Sequence, residues 1–181
     1  QPRSRGLGDV YKRQLIISVF GHGRRCGKTT TVEVIVRELT KRNYKVGCIK
    51  KIHIENFTID KEGKDSYRHA KAGAKLVATA SPKEIAIIRK IQDNPVEKAL
   101  ELMLHDALDF VIIEGRYDKA KIKIPVARSY EEAKKILPMN FLFISSLTPE
   151  KFPSYLKVLH PLKDAEKMVE MIISQSEGML F

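Results

Sequence analysis

Cysteine is scarce in this chain, with only Cys26 and Cys48 among 181 residues. Two thiols make neither a disulfide framework nor a metal cluster, so both are read as reduced side chains, Cys48 within a buried strand. Apolar runs are short as well, and none approaches the ~18 residues that a membrane span requires. An initiator methionine is missing, and the first fourteen residues, QPRSRGLGDVYKRQ, show no periodicity. They are expected to be a non-native or disordered leader, and they carry no charged-then-apolar signal before a small-residue cleavage site. With no membrane segment in view, the expected location is the cytoplasm. Acid is also in short supply: 33 Lys+Arg stand against 22 Asp+Glu, a net charge of +11. Setting aside Arg3, Arg5, Lys12, Arg13 and Asp9 of the leader changes the balance only slightly. Such a surplus suits an anionic partner (nucleotide, pterin phosphate or nucleic acid), or it is a solvated lysine-rich surface. The basic residues are not interleaved with surface aromatics, which argues against nucleic acid.

What is present is organised around Leu15 to Leu39, LIISVFGHGRRCGKTTTVEVIVREL. Leu15 to Phe20 are apolar apart from Ser18 and suit a buried strand. From Thr31 onward, Val32, Ile35, Val36 and Leu39 fall at i, i+3, i+4 and i+7, one face of a helix. Between them lie Gly21, His22, Gly23, Arg24, Arg25, Cys26, Gly27, Lys28, Thr29 and Thr30. Strand, glycine turn, Gly-Lys-Thr and amphipathic helix together predict a phosphate-binding loop, although position 22 holds histidine where the strict pattern has glycine. Glycines let converging backbone amides approach a polyphosphate, and the helix start adds unpaired N–H groups. Lys28 would neutralise the β and γ phosphates, the Thr29 hydroxyl would ligate Mg2+, and Thr30 stands where an α phosphate would be held. An ordinary glycine turn is the bland alternative.

Further strands are predicted over residues 45–52, 110–113 and 141–144, with a hairpin over 76–80 and 84–89. Helices are predicted over 64–72, from Asn94-Pro95 with Val96, Ala99, Leu100, Met103 and Ala107 on one face, and at the end with Ala165, Met168, Val169 and Ile172. Alternation of strands and helices predicts one domain over 15–181. Its class is α/β, a P-loop NTPase-type three-layer sandwich with a mostly parallel sheet and an antiparallel hairpin. Glu114, at the end of the 110–113 strand, is the candidate acid for the metal, and Gly115 would let the backbone approach the terminal phosphate. A third element, Asp60-Lys61-x-Gly63-Lys64-Asp65-Ser66-x-Arg68-His69, has the chemistry to close over a nucleotide. Between Lys45 and Lys75, eight Lys+Arg stand against four Asp+Glu, so the surplus gathers there. The alternative is a solvated polar loop. His53 and His69 lack further ligands at metal-binding spacing.

The run VGCIKKIHIENFTIDKEGKDSYRHAKAGAKLVATASPKEIAII resembles the molybdopterin-guanine dinucleotide biosynthesis protein B (MobB) family. The matching points are Ile49-Lys50, His53, Asp60, Gly63-Lys64-Asp65-Ser66, Tyr67, Arg68-His69, Ala72-Gly73-Ala74 and Ala80-Ser81-Pro82. DFVIIEG at 109–115 and Lys123-Ile124-Pro125 are similar to later segments. The resemblance implies a GTP-binding accessory protein of molybdenum cofactor biosynthesis, a homodimer and at most a weak Mg2+-dependent GTPase. It would act beside a MobA-type nucleotidyltransferase that attaches GMP to molybdopterin. On that reading Lys28 and Glu114 serve hydrolysis, and Thr29, Glu114 and Asp65 hold the metal. Lys50, Asp60, Lys64, Asp65, Ser66, Arg68 and Gly115 would sense the γ phosphate or contact molybdopterin. The later strand continues Ser145-Ser146-Leu147-Thr148, with no aspartate to pair with guanine N1 and N2. A P-loop small-molecule kinase and a basic nucleic-acid-binding module with a vestigial nucleotide site are the competing functions.

Overall fold

The computed structural model describes residues Gln14–Gly178, so the predicted leader falls, apart from Gln14, outside the described residues. The chain forms two compact units. Ile52–Lys98 is one, and the described residues on either side of it make the other.

The larger unit is built on a six-stranded sheet. Strand β1 (Leu15–Gly21) lies between β5 (Phe110–Glu114) and β6 (Ile122–Val126), both parallel to it. β2 (Val46–Lys50) pairs in parallel with the far side of β5. β7 (Ile144–Ser145) and β8 (Val158–Leu159) extend the β6 side, giving the order β2-β5-β1-β6-β7-β8. Parallel strands buried on both faces require nearly continuous apolar runs, and β1 and β5 supply them. Ile17, Val19 and Ile112 are fully buried toward one face, and Val111 and Ile113 are equally buried toward the other. Helix α1 (Lys28–Lys41) and the last helix, Ala165–Glu177, pack on each other, and their Ile35, Leu39, Met168, Val169 and Ile172 join the first of these cores. This is the expected α/β class with its mostly parallel sheet.

The crossover from β1 through α1 to β2 skips the central place that β5 later fills, whereas β6 joins β1 on its other flank. Connections therefore diverge at the carboxyl end of β1. Open parallel sheets present their ligands at such a point.

Local details differ from expectation. The later strand is Ile144–Ser145, not 141–144, because the ladder with β6 reaches only Val126↔Ser145. Phe143 is fully buried without pairing there. β6 carries Pro125 and was not predicted as a strand, since proline normally demotes a run. It is tolerated because Lys123 and Ala127, two residues to either side, direct their backbone groups to the β7 side, where only a short strand competes for the missing N–H. Cys48 is exposed, not buried, because β2 is an edge strand and turns Ile49 inward instead.

The smaller unit contains α2 (Asp65–Lys71), which Gly73 follows at φ 111°, and the antiparallel hairpin of β3 (Leu76–Ala80) and β4 (Ile85–Arg89). Ser81 closes the turn by accepting from the Glu84 N–H and the Lys83 N–H. Helix α3 (Pro95–Met103) starts at the predicted proline, and Val96 and Leu100 are buried on its apolar face, but it stops short of Ala107, which follows the turn Leu104–Asp106 at φ 47°. No helix among the described residues is long and apolar enough to cross a membrane.

Candidate functional site

At the end of β1 the chain makes its turn through three left-handed residues, Gly23 (φ 79°), Arg25 (φ 57°) and Gly27 (φ 99°). For arginine that conformation costs about 1–2 kcal/mol, so the loop holds Arg25 in a shape the residue itself disfavours. Gly27 is also the residue before α1, and it offers no side-chain acceptor to the first helical amides. The first turn of α1 contains no acid either. Its N-terminal amides and the positive end of the helix dipole are therefore left for an anion. By contrast, helix α4 (Tyr130–Lys134) is capped, with the Ser129 hydroxyl accepting from the Glu132 N–H.

Residues 23–30, together with Glu114 and Leu147, line a cavity of about 470 Å³. Arg24, Arg25 and Lys28 bring positive charge to its wall, and Glu114 is the only acid there among the described residues. The Lys28 ammonium donates to the Gly23 carbonyl at 2.7 Å and lies 3.3 Å from the Cys26 sulfur, spanning the loop. Across the cavity the Thr29 hydroxyl donates to Glu114 Oε1 at 3.0 Å. Lys50 Nζ stands 3.8 Å from the same oxygen. Thr29 and Glu114 are hard oxygen donors on adjacent elements. They fit magnesium, which takes one or two protein oxygens and completes its shell with water and phosphate.

Buried polar contacts brace this arrangement. Thr31 Oγ1 donates to the Gly27 carbonyl at 2.9 Å and meets Ser145 Oγ at 2.8 Å, tying the start of α1 to β7. Ser18, the one polar residue inside β1, donates to the Gly115 carbonyl and accepts from the Tyr117 N–H, so it fixes the turn that follows Glu114. Gly115 holds φ 143°, and a Cβ there would stand 2.6 Å from Lys51 Cβ. Although Cys48 as a whole is exposed, desolvation of its thiol, and after it the Glu114 charge, push that thiol above its ordinary range.

Of the residues singled out in the sequence, Gly23 through Thr30 and Glu114 share the cavity, with Lys50 beside Glu114. Gly21 and His22 lie outside its lining. Gly21 serves packing: a Cβ there would meet the Val126 carbonyl oxygen at 2.4 Å and Cys26 Sγ at 2.7 Å. Asp60, Lys64, Asp65, Ser66 and Arg68 belong to the smaller unit. There Asp60 Oδ1 accepts from the Ser66 hydroxyl at 2.9 Å and from the Lys61 N–H, while Asp60 Oδ2 is buried with no partner. Asp65 and Arg68 form an exposed pair at 3.4 Å. Leu147 and the Thr31–Ser145 contact were missed. Ser18 and Ser145, hydroxyls within or beside apolar runs, were the available signals.

Residues 16–145 match the family model for MobB, molybdopterin guanine dinucleotide synthesis protein B. The chain belongs to the MobB family. It is 34% identical over 116 residues to a molybdopterin-guanine dinucleotide biosynthesis adapter protein of Haemophilus influenzae, covering 62% of each chain. A putative adapter protein of the same kind from Methanocaldococcus jannaschii is 34% identical over 111 residues, which are 61% of this chain and 44% of the relative. The matched stretch therefore spans less than two thirds of these relatives. The crystal structure of Bacillus subtilis MobB superposes with a TM-score of 0.71 at 24% identity, over 89% of this chain and 97% of that one, and so shares the fold.

Proposed function

We propose that this family member is a nucleotide-binding adapter in the conversion of molybdopterin to molybdopterin guanine dinucleotide, holding GTP with magnesium and hydrolysing it slowly. The observation that carries the nucleotide reading is the Thr29–Glu114 hydrogen bond on the wall of a cavity that also presents Lys28 and the uncapped start of α1. Lys28 would exchange its contact with the Gly23 carbonyl for the β and γ phosphates. Bound magnesium would supply charge neutralisation of the phosphate oxygens, with Thr29 and Glu114 as its protein ligands. Lys50, beside Glu114, and Gly115 would lie toward the terminal phosphate. Asp60, Lys64, Asp65, Ser66 and Arg68 are proposed to sense that phosphate or to contact molybdopterin.

The adapter role rests on what the relatives are called, and the natural partner is a MobA-type nucleotidyltransferase. A cytoplasmic location fits those partners. A homodimer is supported by the β3–β4 hairpin. A two-stranded sheet is marginal in water by itself, yet this one leaves Leu76, Ile85 and Ile87 exposed. The single-domain organisation of 15–181 is proposed on the same footing.

A thermal-shift panel of GTP, GDP, ATP and molybdopterin, each with and without magnesium, tests the function. A ligand that binds only the native state raises its melting temperature. GTP with magnesium and molybdopterin are each expected to raise it. No shift with any nucleotide would remove the reading, and phosphate transfer to an added small acceptor would favour a kinase instead.

A further inference from the structure

Backbone shape and side-chain chemistry pull apart at Arg25. Residues 23, 25 and 27 are left-handed, and Arg24 and Cys26 between them are not. Such alternation gathers the N–H groups of a loop into a concavity that suits an anion. Glycine meets the need at 23 and 27 without strain. Position 25 has the same need and holds arginine, at φ 57°. Elsewhere Asn43 and Asn94 adopt this conformation, and asparagine is a residue that tolerates it. Arginine is not, and strained residues of this kind concentrate at functional sites, where the surrounding structure holds them.

The side chain is available for such a use. Arg42, Arg68, Arg116 and Arg128 each meet a carboxylate. Arg25 makes no hydrogen bond or ion pair among the described residues, and it lines the cavity of the phosphate loop. With Arg24 and Lys28 it sets three cations on a wall whose one acid, among the described residues, is Glu114. Like charges gathered in one place repel and weaken the fold. A magnesium-bound triphosphate, still anionic after it takes the metal, would neutralise the excess. A guanidinium also differs from the Lys28 ammonium in kind, because its planar fork matches two oxygens of one phosphate group.

We infer that Arg25 is a phosphate-binding residue whose guanidinium takes two oxygens of one phosphate group, so that the loop gives up stability in exchange for anion affinity. This rests on the nucleotide reading above, and the test separates the two. Wild type, Arg25→Gly, Arg25→Ala and Arg25→Lys are titrated calorimetrically, with magnesium, against GTP and against inorganic triphosphate. Each ligand-free protein is also unfolded with denaturant. Arg25→Gly is expected to weaken both ligands by the same factor, about 10–100-fold for the loss of a charged hydrogen-bonded contact, and to raise the denaturation midpoint. Arg25→Ala is expected to lose the same affinity with a smaller gain in midpoint, because its methyl group is still strained at positive φ. Arg25→Lys, which keeps the charge and loses the fork, is expected to fall between. Unchanged affinity of Arg25→Gly for both ligands would overturn the inference and leave the nucleotide reading standing. So would a loss confined to GTP, which would place the side chain on the nucleoside, or a lowered midpoint in Arg25→Gly, which would make it a packing group. Arg25→Lys binding as tightly as wild type would overturn the two-oxygen contact. Wild type that binds neither ligand removes the nucleotide reading, and this inference with it.

Discussion

Gly21 shows how a single residue can be legible for the wrong reason. Its place in the loop motif marks it as a phosphate-facing glycine, but the structure needs it because a side chain would run into the Val126 carbonyl and Cys26 Sγ. That distance depends on β6, which the sequence conceals behind Pro125. Gly21→Ala is therefore expected to destabilise the fold by about 1–3 kcal/mol, the range for overpacking a tight core, as read by chemical denaturation. Glu114 is different, since its place at a strand end before glycine marked it as a candidate, and the structure sets its carboxylate 3.0 Å from the Thr29 hydroxyl. Glu114→Gln is expected to abolish the magnesium dependence of GTP affinity while leaving affinity in EDTA nearly unchanged. Titrations with and without magnesium check this, and an undiminished magnesium effect would place the ion elsewhere.

Among elements, the start of α1 and the start of α4 use opposite solutions to the same problem of unpaired amides. α1 begins at Gly27 with no side-chain cap, and its position is held from below by the Thr31–Ser145 contact. Thr31→Val would keep the shape but leave the buried Ser145 hydroxyl without that partner, an expected loss of about 1–3 kcal/mol, measurable as a lower denaturation midpoint. α4 instead has Ser129 at its cap and Glu132 reaching back to the Arg128 N–H and guanidinium. The hydrogen bonds from Arg128 hold the Glu132 carboxyl below the ordinary glutamate range. A carboxylate with a lowered folded-state pKa contributes stability above its unfolded value and loses it as pH falls through the folded one. Glu132→Gln should thus cost stability at neutral pH, and the gap to wild type should close in acid, as followed by melting temperature between neutral and acid pH. Such pairings were hidden in the sequence, because β6, α4 and β8 are short and carry too little periodicity to be read, and β7 was read only with shifted bounds. The long elements β1, α1, β5 and the last helix were plain because burial imposes a repeating pattern on them.

For the whole molecule, strand order is what turns a motif into a site. The loop, the acid and Leu147 come from three distant parts of the chain, and only the order β2-β5-β1-β6-β7-β8 brings them around one cavity. A linear pattern announces the loop and, with less force, the acid, but Leu147 has no local signature. The hairpin in the smaller unit is a property of the same scale. Its strands were read correctly from spacing, whereas the exposure of Ile85 and Ile87 appears only in three dimensions. Ile85→Glu with Ile87→Glu is expected to shift sedimentation from dimer to monomer without unfolding the larger unit. A wild-type monomer at micromolar concentration would contradict the proposed dimer. The central claim concerns bound phosphate, and calorimetric titration of GTP with magnesium into wild type and Lys28→Ala tests it most directly. Saturable one-site binding to wild type, weakened at least about a hundredfold by loss of the ammonium from a partly desolvated site, is the expected result. Equal affinities in the two proteins would contradict it.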